Sequence, residues 1–178
     1  MNKEDCKECL EAIRTRRSIR KFKDTPLEKE KIVQILSLAQ MAPSAGNLQS
    51  RDFIIVRDRI IKHKLAIAAL DQTFIEQAPV VIVAVANIER SSRRYSSRGE
   101  LYGIQDATAS VMTILIAAQS MGISSCWVGA FDEIEVSELL ALPYGTKPVA
   151  IIPLGIADEA PSPPPRTDPS KNIHLETW

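Results

Sequence analysis

The chain has little of what would commit it to an unusual architecture. Its 178 residues include three cysteines, two histidines and seven glycines, and aromatic residues are 5% of the total. Three cysteines make no disulfide framework, and a tetrahedral zinc site wants four ligands. Neither is needed, because a chain of this length buries about 70% of its unfolded surface. Long hydrophobic runs are missing too. The longest, residues 78–86, has nine residues, against about 20 for a membrane-spanning helix. The N-terminal MNKEDCKECLEAIRTRR holds no apolar stretch of signal-peptide type, so neither secretion nor a membrane is expected, and the expected compartment is the cytoplasm. G-x-S-x-G, P-loop and G-x-G-x-x-G motifs are absent. What remains is ordinary globular usage, 45% apolar and 25% charged, in the length of one domain spanning 1–178.

Net charge is zero, yet it is unevenly spread. Residues 1–98 hold 19 Lys and Arg against 12 Asp and Glu, while residues 99–178 hold 3 against 10. The first half is therefore the place for an anion. Six basic residues and no acid fall within 14–23, and a second cluster is Arg90, Arg93, Arg94 and Arg98. Nucleic acid is one reading of such clusters. The sparse aromatics and a pI of about 6.7 argue against it and for a small phosphorylated ligand.

Cys6 and Cys9 form a C-x-x-C, the spacing of a redox pair or of half a metal site. The set Cys6, Cys9, Leu10 and Ile13 is also an i, i+3, i+4, i+7 helical stripe. The helix-face reading is preferred because free Cys favours burial, and no metal is expected.

The periodicities predict a first helix ending near Arg14. A second helix is signalled by Thr25 as cap, Pro26 in the first turn and Glu28, with Ile32, Ile35, Leu36 and Ala39 on one face. Residues 53–56 read as a buried strand, 60–70 as a helix and 79–88 as a central strand apolar on both faces. Residues 91–99 read as a polar, Arg-rich loop. A helix over 100–121, closed by Gly122, is so small and apolar that packing on most sides is expected. Residues 123–128 then read as a strand, 133–142 as a helix and 149–156 as a last strand. APSPPPRTDP begins an extended tail. Helices able to cover both faces of one sheet make a three-layer α/β/α sandwich. The tail ends in Ile173, Leu175 and Trp178, apolar residues that either pack back or reach a partner.

The strongest local signal is RTRRSIRKF. Arg16, Arg17, Ser18 and Arg20 put guanidinium forks and a hydroxyl within five residues, donors that suit phosphate; a solvated basic turn is the bland alternative. APSAGNLQ, with Pro43, Ser44, Ala45 and Asn47, reads as a turn whose free backbone amides and polar side chains can lie against a planar ligand. In SCWVGAF, Gly129 lets backbone approach closely, while Trp127 reads more often as core than as a cofactor wall. Arg166 stands alone in the tail. With so few titratable candidates, demanding chemistry would come from a bound cofactor.

RRSIRKF, APSAGNLQ, RGELYGIQDATAS, SCWVGAF and PLGIADEAPSPPPR, in that order, resemble the nitroreductase family of FMN-dependent oxidoreductases. The resemblance runs from about Glu11 to the C-terminus. It implies an α+β three-layer fold and a homodimer that binds FMN at the subunit interface, with residues 156–178 as an arm exchanged with the partner. By position, Arg16, Ser18 and Arg166 resemble phosphate ligands, and Arg17 a residue along the ribityl chain. Arg20 resembles the cation at the flavin's pyrimidine edge. Pro43, Ser44, Ala45 and Asn47 resemble the loop supplied by the other subunit, and Trp127, Val128 and Gly129 the stretch along the isoalloxazine. Larger members carry a Lys that helps hold the flavin; the nearest positions here are Gln72 and Thr73, Gln72 being the cofactor-binding candidate, and the lid insertions of those members are missing. The implied activity is ping-pong hydride transfer from NADPH or NADH to FMN and on to a flat acceptor such as a nitroaromatic or quinone. Reductive dehalogenation or flavin fragmentation is the alternative within the family, and a non-redox binding protein the alternative outside it.

Overall fold

The computed structural model describes residues 9–178. Helices α1 (Cys9–Thr15) and α2 (Lys29–Ala39) precede strand β1 (Arg51–Val56), and α3 (Arg59–Ala68) and α4 (Phe74–Gln77) lead to β2 (Val80–Asn87). Then come α5 (Ile88–Tyr95), α6 (Gly99–Ser120), β3 (Ser124–Ser125), α7 (Glu133–Leu139) and β4 (Thr146–Gly155). The sheet is antiparallel throughout, in the order β1-β2-β4-β3.

The two-residue period of the central strands divides the core. Val81, Val83 and Val85 of β2 face α3, α4 and α7, together with Ile151 of β4. Val80, Ile82 and Ala84 face α2 and α6, together with Ala150, Ile152 and Leu154. Each Val, Ile or Leu among them, fully buried, contributes about 1.5–3 kcal/mol. This is the expected three-layer arrangement, with β2 central.

Several local expectations change. Strand β1 is an edge strand with half-buried positions, because it pairs only with β2. The Thr25 cap is not used: α2 begins at Lys29, with Glu28 before it and no side-chain cap. Arg57 takes the Leu27 carbonyl with both terminal nitrogens at 3.0 Å, and Lys23 donates to Ile156 at 2.9 Å, so residues 23–27 stay extended. The strand expected over 123–128 shrinks to two residues. Cys126 donates to the Pro153 carbonyl at 3.3 Å, but Pro153 has no N–H to return, and the ladder breaks there. It resumes in one bridge between Val128 and Ile151.

Residues 91–99 are not a loop. Asn87 caps α5 by accepting from the Arg90 amide at 3.0 Å, and Arg93 pairs with Glu89 one turn away at 2.7 Å. Helix α5 docks on α6 through small residues: Ser91 Oγ donates to the Gly99 carbonyl at 2.6 Å, and a Cβ on Gly99 would stand 2.6 Å from the Ser92 nitrogen. A polar helix docked through Ser and Gly leaves no apolar period in the sequence.

Helix α1 also departs from expectation. Cys6 lies outside the described residues, while Cys9, Leu10 and Ile13 are exposed and Ala12 is the buried position. Helix α6 is core on one side only, since Leu101 and Met112 are exposed. Gly122 follows it at φ +72°, as expected of a residue that ends a helix. An 18-residue window within residues 88–120 is apolar enough by composition to cross a membrane, but half of that window is buried inside the fold, where α6 packs on the sheet. Beyond Gly155 the tail is extended, with one short turn at Pro169–Lys171. Ile173, Leu175 and Trp178 are exposed; Trp178 stacks on His174, ring centroids 4.5 Å apart.

Candidate functional site

Past the end of α1 the chain crosses to the edge of β3. The Ile19 amide donates to the Ser125 carbonyl at 3.0 Å, and Ser18 bridges Ser125. Ile19 turns into the core, so the alternation sends Ser18 and Arg20 to the other side. The returning tail meets this segment. Asp158 donates to the Lys21 carbonyl at 2.9 Å, Lys21 pairs with Asp158 at 3.4 Å, and the Glu159 carboxylate accepts from the amides of Arg20 and Lys21.

Between the two segments lies a cleft of about 300 Å³, lined by Arg16, Arg17, Ser18 and Arg20 on one wall and by Pro161, Ser162, Pro164 and Arg166 on the other. Four guanidinium groups and two hydroxyls line it, and no carboxylate does. Arg17 is fixed by the carbonyls of Arg14 at 2.9 Å and Arg16 at 2.8 Å. Cys126 lies beneath. Burial pushes its thiol up, while Arg20, a hydrogen bond with Ser18, and Arg16 oppose the shift. Arg16 and Arg166, far apart in the chain, thus belong to one set of donors suited to an anion.

A second group adjoins Arg20, whose guanidinium carbon lies 5.8 Å from the Phe74 ring centre. Two residues earlier, Gln72 Nε2 donates to the carbonyls of Ala69 at 2.8 Å and Ala130 at 3.2 Å, holding the turn that follows Gly129. Val128 exchanges backbone bonds of 2.9 and 3.0 Å with Ile151. Its side chain is in the core, so any ligand there would meet backbone. Trp127 is half-buried and packs on the α2–α6 side, as the core reading expects. Gly129 is exposed.

The loop around Ala45–Asn47 is built differently. Asp106, buried in the middle of α6, accepts from the Ala45 amide at 2.9 Å and the Ser50 amide at 3.1 Å. Ser44 Oγ accepts from Gln49 at 3.0 Å, and Asn47 and Leu48 donate to Ser44 and Ala45. The expected free amides are therefore largely spent within the loop and on Asp106. Gly46 takes φ +55° freely, but Asn47 and Gln49 also have positive φ, at +56° and +51°, a strain that persists only when surroundings over-determine it. Arg51, fully buried, supplies part of that by donating to the carbonyls of Gln40 at 2.8 Å and Ala42 at 2.9 Å. Burial pulls the Arg51 proton affinity down, and Asp106 opposes this. Pro43 and Asn47 are exposed, Ser44 and Ala45 half-buried. No described hydrogen bond joins this loop to residues 16–20. Sequence reasoning missed Asp106 and Arg51; the available signal was a lone acid inside an Ala-rich helix. Among the described residues no three His, Cys, Asp or Glu side chains gather as metal ligands.

The nitroreductase family model matches residues 13–73 and 62–156. Proteins from Methanothermobacter thermautotrophicus and Archaeoglobus fulgidus, both named "Putative NADH dehydrogenase/NAD(P)H nitroreductase", are each 35% identical to this chain. The matches cover 95% of this chain and 87% of the first relative, and 96% of this chain and 99% of the second. The solved NADPH:FMN oxidoreductase from Vibrio harveyi superposes with a TM-score of 0.89 at 27% identity, over 96% of this chain and 77% of that one. With the sandwich, the cleft and these likenesses together, the chain belongs to the nitroreductase family.

Proposed function

We propose that the chain is an FMN-dependent oxidoreductase that takes reducing equivalents from NAD(P)H. The observation that carries this is the cleft of four arginines and Ser18 without a facing carboxylate, a donor set that fits the single terminal phosphate of FMN. Arg16, Ser18 and Arg166 would hold that phosphate, and Arg17 would lie along the ribityl chain. Arg20, beside Phe74 and the segment of Gln72, would face the pyrimidine edge. The backbone of Val128 and Gly129, with Trp127 beside it, would line the ring face. When bound, FMN supplies a two-electron relay by which donor and flat acceptor, a nitroaromatic or quinone, use one site in turn.

The chain's own residues supply binding and charge. Arg20, set over Phe74, would place a cation where negative charge grows on reduction, an arrangement that lowers barriers when charges are placed beforehand. The second half of the site, Pro43, Ser44, Ala45 and Asn47, belongs in this reading to the partner of a homodimer. The exposed Pro43 and Asn47 of the loop, the exposed Leu101 and Met112 of α6, and the exposed Trp178 support that reading. On it, 1–178 is one domain with residues 156–178 as the exchanged arm, working in the cytoplasm.

The test is direct. Purified protein should be yellow, release FMN and not FAD on denaturation, and sediment as a dimer. Colourless protein that binds no added FMN overturns the reading.

A further inference from the structure

The second arginine cluster lies outside the lining of the cleft at residues 16–20, and the structure divides it into two halves. Arg90 is paired with Asp52 at 3.2 Å and Arg93 with Glu89 at 2.7 Å. Arg94 and Arg98 have no carboxylate within ion-pair reach among the described residues, and the nearby Glu100 is held by Lys147 at 3.7 Å. Instead, each lies over a tyrosine: Arg94 is 5.7 Å from the Tyr95 ring centre, and Arg98 is 4.9 Å from that of Tyr102. Arg98 Nε also donates to the Tyr102 hydroxyl at 2.8 Å. The two rings meet edge to face at 4.8 Å, so the four side chains form one surface.

That surface abuts the loop at Ala45–Asn47. Arg94 Nη1 donates to the Gly46 carbonyl at 3.4 Å, and a Cβ on Gly46 would stand 2.9 Å from the same nitrogen. The close α5–α6 packing through Ser91, Ser92, Gly99 and Gly103 holds the surface against the loop. Two exposed guanidinium groups that no described carboxylate neutralises, each over a tyrosine ring, suit a ligand with an anionic group next to a planar ring.

We propose that Arg94 and Arg98, with Tyr95 and Tyr102, recognise the phosphate monoester of a nucleotide reacting at this enzyme. The patch is distinct from the cleft at residues 16–20. The proposal rests on the flavin-enzyme reading only for what brings a nucleotide to this loop. Two sources carry the required chemistry: the 2′-phosphate of NADPH as donor, and the 5′-phosphate of free FMN as acceptor.

Calorimetric titration of the protein as purified separates them. One arm compares adenosine 2′,5′-bisphosphate with adenosine 5′-monophosphate; the other compares added FMN with riboflavin. The phosphorylated member of at least one pair should bind about tenfold more tightly, a margin that shrinks with added salt. The donor arm alone identifies a site for NADPH, and the acceptor arm alone a site for free flavin. R94Q/R98Q, altered only at exposed positions, should lose the margin while binding the unphosphorylated ligand as before. No margin in either arm, or a margin that survives in R94Q/R98Q, overturns the proposal. The colour of the same protein reports on the flavin reading separately, so the two failures are distinguishable.

Discussion

The cleft at residues 16–20 and the loop at Ala45–Asn47 are built by opposite means. The cleft offers charges on exposed or half-buried side chains, gathered from two ends of the chain by a few backbone bonds. The loop offers shape. Its backbone is held in left-handed conformations by a buried carboxylate and a buried guanidinium that no ligand needs to touch. Charge concentrates affinity for an anion, whereas an over-determined backbone fixes position. A site that must bind a cofactor and also orient it has use for both.

The sharpest way to break this contrast is at Asp106. Replacing it by Ala leaves the amides of Ala45 and Ser50 without their acceptor inside the protein, which costs about 1–3 kcal/mol for each group left buried. With Ser50 buried and Ala45 half-buried, the total is about 3 kcal/mol, so D106A should melt about 6–12 °C below wild type, at about 2–4 °C per kcal/mol for a chain of this size. Scanning calorimetry checks it. A Tm within 2 °C of wild type would mean that the loop holds itself.

Arg20 probes the other side. R20Q should keep FMN, because Arg16, Ser18 and Arg166 remain. Loss of one preorganised charge-stabilising group costs roughly 3 kcal/mol, and roughly 30 mV corresponds to 1.4 kcal/mol for two electrons. The bound flavin's potential should therefore fall by about 60 mV, with slower reduction by the donor. Redox titration of flavin-replete protein reads this, and an unchanged potential would make Arg20 structural only.

The smallest effect concerns Cys126. Its thiol lies under the cleft with its pKa raised by burial, so at pH 7–8 it stays protonated and a poor nucleophile. Iodoacetamide should modify exposed Cys9 and reach Cys126 only after denaturation; mass spectrometry of the labelled peptides decides it. Rapid labelling of Cys126 in folded protein would show that the cleft floor opens.

The contrast also accounts for what could be read from the sequence. The layers were legible because hydrophobic period is written residue by residue, as in Val80 to Val85. The cleft was legible because charge is too: six bases within 14–23 stand out without a structure. Three other features were not. Helix α5 docks through Ser91, Ser92 and Gly99, and contacts between small residues leave no apolar stripe. The break in β3 is caused by Pro153, some 27 residues further along and opposite Cys126. The loop's conformation depends on Asp106, about 60 residues away, whose role is invisible until α6 is placed beside it. Local chemistry could be read directly; chemistry made by long-range placement could not.

The central claim is that the cleft holds the phosphate of FMN by charge. R16A/R166A tests it most directly, with flavin affinity measured by fluorescence titration and folding by calorimetry. Each charge-assisted bond removed contributes about 1.5–3 kcal/mol, so the account predicts FMN affinity at least about a hundredfold weaker. The Tm measured without added FMN should be nearly unchanged, since neither side chain is buried. Retention of wild-type FMN affinity by the folded double variant would contradict it.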